Sequence, residues 1–159
     1  MSVLHKYTVI APVSLSIALF ITSCSESKVS QCQRLIRVVN AGTSLIDKNK
    51  GTQVITSLQL SKDLEFVTKS IGELKLTDPK LKEFQSGFVK IFKNLSQAIA
   101  KAGKALGASK IAEASASGRE KIQKARDEID STLTTAATTV GKQSDTLGNA
   151  INKYCRQPE

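Results

Sequence analysis

The chain has no tryptophan and a single histidine, His5, so nothing after the fifth residue can supply an imidazole. That absence excludes Ser-His and Cys-His nucleophilic pairs and histidine-ligated metals from the body of the protein. The inward-facing Glu with Glu-x-x-His pattern of carboxylate metal sites in helical bundles is missing for the same reason. No G-x-x-x-x-G-K-[ST] phosphate loop occurs either. Ser25-Glu26-Ser27-Lys28 fits S-x-x-K in form, but the companion motifs of penicillin-interacting enzymes do not follow it. We therefore expect no enzyme, no cofactor and no bound metal. Acidic residues are scarce beside basic ones, 14 against 23, and the formal net charge is +9 at pH 7. Aromatic residues make up only 4% of the chain and none shares the polar face of the third predicted helix with its lysines, which argues against nucleic acid as the partner. There are three cysteines, Cys24, Cys32 and Cys155, and the odd number asks how they are used.

One stretch is greasy. MSVLHKY carries one lysine and no acid, and Thr8 to Ile21 follow as a mostly apolar run broken only by Ser, Thr and Pro12. A positive start, a short apolar core and small residues before a cut site make a secretory signal peptide. The run falls short of the ~20 apolar residues that a spanning helix needs, so an uncleaved anchor is the weaker reading. The run ends in Ile21-Thr22-Ser23-Cys24, which resembles the lipobox of bacterial lipoproteins. That resemblance implies a diacylglyceryl group on Cys24 and removal of residues 1–23, and Ser25 after the cysteine implies export to the outer rather than the inner membrane. The alternative is an ordinary signal peptide cut near Ser23, with Cys24 left as a thiol. The part after Cys24, with "SQC" near its start and a cysteine near its end, also resembles small helical lipoproteins of bacteria, cyanobacterial ones among them. No activity comes with that resemblance.

Lipid on Cys24 leaves Cys32 and Cys155 as a pair, which is expected to oxidise outside the cytoplasm; two unpaired buried thiols are the other possibility. The expected organisation is a signal peptide over 1–23, a lipidated tether over 24–28 and one folded domain over 29–157.

Periodicity in that domain is helical throughout. Val29, Cys32, Ile36, Val39, Thr43 and Ile46 form one stripe, with stop signals at "DKNKG". Leu60, Leu64, Val67, Ile71 and Leu74 form a second, in a helix starting near Thr52. Asp78 then offers an N-cap and Pro79 a first helical position. A third stripe runs from Leu81 through Phe84, Phe88, Ile91 and Leu95 to Leu106, widened by Phe92 and Ile99. After a small-residue connector, a fourth runs from Ile122 through Ala125, Ile129, Leu133, Ala136, Val140 and Leu147 to Ile151, with Gly141 as a candidate kink. Phe66, Phe84, Phe88 and Phe92 read as core packing. Four helices with short connections pack up, down, up, down, which brings the start of the first beside the end of the fourth. The predicted fold is an all-α four-helix bundle, its ends clasped by a disulfide between Cys32 and Cys155.

Charge is uneven on the third helix. Between Lys80 and Lys110 there are seven lysines and one acid, Glu83. At 100° per residue, Lys82, Lys90, Lys93, Lys101 and Lys104 fall within about 100° of one another, opposite the apolar stripe. Such a ridge attracts an anionic envelope polymer, lipid headgroups or an acidic protein. The expected function is a non-enzymatic, lipid-anchored envelope scaffold with that basic face as its candidate surface. The other expectation is a carrier whose core opens around an apolar ligand, with a cavity among Phe84, Phe88, Phe92 and the alanines of the fourth helix.

Overall fold

A computed structural model describes residues 26–48 and 54–158. The segment 1–23 and the lipobox Ile21-Thr22-Ser23-Cys24 lie outside the described residues. Among the described residues there are four helices: α1 (Lys28–Lys48), α2 (Val54–Gly72), α3 (Pro79–Lys110) and α4 (Ala116–Cys155). No strand occurs among the described residues, and no helix there is long and apolar enough to cross a membrane.

Each boundary has a local cause. Ser27 opens α1 by accepting from the Ser30 N–H at 3.2 Å. The Asp78 carboxylate accepts from the Leu81 N–H at 2.8 Å, and Pro79 follows at a position where its missing N–H is no loss. Ser115 caps α4 by accepting from the Gly118 N–H at 3.0 Å. At the end of α2 the Gln85 amide donates to the carbonyls of Ile71 at 2.7 Å and Leu74 at 2.9 Å, so α3 itself satisfies the open end of its neighbour. Gly141 makes no break: α4 runs as one helix of 40 residues through it.

Neighbouring helices run antiparallel. Gly42 of α1 lies against Val67 and Phe92, Ser61 of α2 against Ser96, and Gly87 of α3 against Leu147. α3 holds the centre, with α2 along one flank and α4 along the other; α1 packs chiefly on α2 and touches α3 and α4 less. Leu35, Leu64, Ile71 and Leu81 are fully buried, and Phe84, Phe88, Ile91 and Phe92 join them. Burying each such side chain contributes about 1.5–3 kcal/mol. Ser61 and Ser96 are also buried, each hydroxyl donating to the other residue's carbonyl at 3.0 and 3.1 Å. Small side chains that satisfy one another let α2 and α3 approach closely.

Three expectations are corrected, the first at Leu133, which stands on the predicted stripe of α4 but is 40% exposed, because the first half of α4 packs on α3 alone. The buried face of α1 is wider than the predicted stripe: Cys32 is buried and Ile36, Val39 and Ile46 pack on the core as expected, Gln31, Leu35 and Gly42 are buried beside them, and Val29 and Thr43 are exposed. Gln31 enters because its amide has backbone partners, and Gly42 because the Phe92 ring fills the space a side chain would take. Phe66 is not core: it stands 72% exposed on the face of α2 turned away from α3.

Candidate interaction surfaces

The chain ends meet as the bundle topology requires. Cys32 and Cys155 are joined by a disulfide across 123 positions of sequence, their Cα atoms 6.0 Å apart. Around it lies a polar junction. The Gln31 side-chain oxygen accepts from the backbone N–H groups of Thr77 at 2.7 Å and Asp78 at 3.1 Å, and its amide donates to the Glu26 carbonyl and the Thr77 hydroxyl, both at 2.9 Å. Tyr154 donates its hydroxyl to Asp78 at 2.7 Å, and Lys28 stands over the Tyr154 ring while donating to the Gln157 carbonyl. Start of α1, α2–α3 turn and end of α4 are thus tied into one knot.

Burial pushes the Asp78 carboxyl up, but the Leu81 N–H, the Tyr154 hydroxyl, the Lys80 N–H and the charge of Lys28 outweigh it and hold the group below 3.8. The Tyr154 hydroxyl is raised above 10.0, first by its hydrogen bond to Asp78 and then by burial and the same negative charge.

All five ridge lysines are exposed, and the bundle divides them. Lys82, Lys93 and Lys104 form the outer crest of α3, with Lys93 bordering a groove that also holds Glu65 of α2. Lys90 and Lys101 lean toward α4. Lys101 pairs with Glu128 at 3.4 Å. Lys90 lines an open groove of about 380 Å³ together with Gly87, Ile91, Leu147 and a further cation, Lys142. Lys82, Lys90, Lys93, Lys104 and Lys142 have no ion-pair partner among the described residues. Sequence reasoning did not find Lys142, because its place beside Lys90 depends on the register between two helices that no single-helix periodicity contains.

The phenylalanines fill the core. Phe92 presses its ring edge on Gly42, and the Phe84 ring lies 5.9 Å from that of Tyr154. The recesses they border open to solvent: about 150 Å³ beside Phe88 between α1 and α4, and about 270 Å³ beside Phe84 at the clasped end. Among the described residues no three His, Cys, Asp or Glu side chains gather to hold a metal ion.

The chain matches no protein-family model, no curated protein and no solved structure.

Proposed function

We propose that the protein is a lipid-anchored component of a bacterial cell envelope, without catalytic activity, whose rigid bundle presents the basic face of α3 to an anionic envelope component. The allocation of the cysteines carries this reading. Cys32 and Cys155 occupy each other, which leaves Cys24 alone, at the end of an apolar leader and two residues before Glu26, where the described body begins. Two or three acyl chains on one thiol and amine hold a protein to a bilayer far more firmly than one. The five ridge lysines supply the surface: four have no ion pair among the described residues, and Lys142 extends the charge across the groove to α4.

Two measurements test the parts separately. Cells expressing the full chain should hold it in the membrane pellet as a lipid-labelled, processed form, and Cys24→Ser should lose the lipid label together with that processing; a wild-type chain that takes up no lipid label, or a Cys24→Ser variant that is labelled and processed equally, would remove the anchor. Binding of the purified protein to isolated cell-wall polymer and to outer-membrane lipid should weaken with salt. Lys82→Glu/Lys93→Glu/Lys104→Glu should abolish binding to one of them, and unchanged binding to both would remove the ridge from the account.

A further inference from the structure

The clasped end of the bundle has a charge pattern of its own. Four acids lie there among the described residues, and each is engaged: Glu26 with Arg34, Glu73 with Lys69, Glu83 with Lys80, and Asp78 as helix cap and acceptor from Tyr154. Four cations at the same end, Lys75, Lys82, Lys153 and Arg156, are exposed and have no ion-pair partner among the described residues. Between α3 and α4 the recess of about 270 Å³ opens at this end, with Lys80, Lys153, Tyr154 and Gln157 in its lining. Glu159 is the one further acid nearby in sequence and lies outside the described residues.

The chain leaves the structure at this end too. Cys24 precedes Glu26 by two residues, a reach of at most ~7 Å. Given the anchor proposed above, on which this step rests, so short a tether keeps this end of the bundle next to the headgroups, where charges act over a Debye length of roughly 8–10 Å. Juxtamembrane lysines and arginines at that distance attract anionic lipid. The side of the bundle is a poorer candidate for the same surface, since Glu65 and Glu128 flank the α3 ridge and so short a tether would have to fold back for the bundle to lie down.

We infer that the clasped end is a membrane platform: Lys75, Lys153, Arg156 and the lowest ridge lysine, Lys82, bind anionic phospholipid headgroups and stand the bundle upright on the bilayer, leaving the rest of the α3 ridge, from Lys90 to Lys104, free along its height.

Neutron reflectometry of the membrane-extracted protein on supported bilayers reads this posture as a layer thickness. An upright bundle as long as α4, at 40 residues, gives a layer of about 60 Å, whereas one lying flat gives about 20–25 Å. On bilayers containing phosphatidylglycerol the thick layer is expected, and it should thin by at least a third in Lys75→Glu/Lys153→Glu/Arg156→Glu or on pure phosphatidylcholine. Lys93→Glu/Lys104→Glu, with unchanged helicity, should keep it. A layer of equal thickness on the two lipids, or a thin layer that the ridge variant converts to a thick one, overturns the platform. Loss of the anchor reads differently: the protein then washes off phosphatidylcholine in 1 M salt, whatever its posture.

Discussion

Gly42 and Gly141 are both helical, and the space around them gives substitutions of opposite sign. A Cβ on Gly42 would come within 2.6 Å of the Phe92 ring and 2.8 Å of Val67, both buried and unable to retreat. Gly42→Ala should destabilise the fold by about 1–3 kcal/mol, as overpacking a filled core does. At Gly141 nothing lies within 4 Å, so Gly141→Ala should gain up to ~1 kcal/mol from helix propensity alone. Urea denaturation of the two variants reads both signs. The Asp78–Tyr154 pair sets the pH limits of the knot. Because the folded Asp78 carboxyl lies below 3.8, its contribution is present above that value and is lost as pH falls through the lowered one. Because Tyr154 is raised above 10.0, its contribution is complete below pH 10 and is lost as pH rises through the raised value. Thermal melts should therefore show an acid-side loss in the wild type that Asp78→Asn, which keeps a capping oxygen but does not titrate, largely lacks.

The helices differ in how much neighbour each has. α3 is sandwiched along its length, while the first half of α4 rests on α3 with Ala125 as its one buried side chain between Arg119 and Leu133. Few buried apolar contacts mean cheap local opening. Amide hydrogen exchange should be fastest there among the helices' central turns, and slowest from Phe84 to Ser96 of α3; uniform protection along α4 would contradict this packing. The same contrast shows what the sequence could disclose. The stripes of α2 and α3 were legible because large apolar side chains recur at helical spacing and meet others, and the Asp78-Pro79 boundary because cap chemistry is local. The face of α1 is only partly legible, because two of its buried positions are Gln31 and Gly42, a polar residue satisfied by a distant turn and a glycine indented by a distant ring. Neither partner lies within the helix whose periodicity was read. Phe66 falls off the stripe of its own helix by angle, and treating it as core put its chemistry above its position. The same limit hid Lys142 and split the ridge: angles about one axis cannot say which lysines face a neighbouring helix.

At the scale of the whole molecule the disulfide and the topology support one another. An up-down-up-down bundle brings its ends together without a covalent bond, so the link between Cys32 and Cys155 acts mainly by restricting the unfolded chain. For a loop closing over 123 positions that restriction is worth about 4–5 kcal/mol in the chain-entropy model. Cys32→Ala/Cys155→Ala should lower stability by up to that amount while leaving the helical content in place, as circular dichroism with urea would show. The central claim, that one cysteine holds lipid while the other two hold the bundle shut, is tested most directly by intact-mass spectrometry of the membrane-extracted protein, alkylated before and after reduction. The account predicts the mass of residues 24–159 plus acyl groups, with Cys32 and Cys155 alkylated only after reduction. A mass without lipid, or thiols at Cys32 and Cys155 that react before reduction, would contradict it.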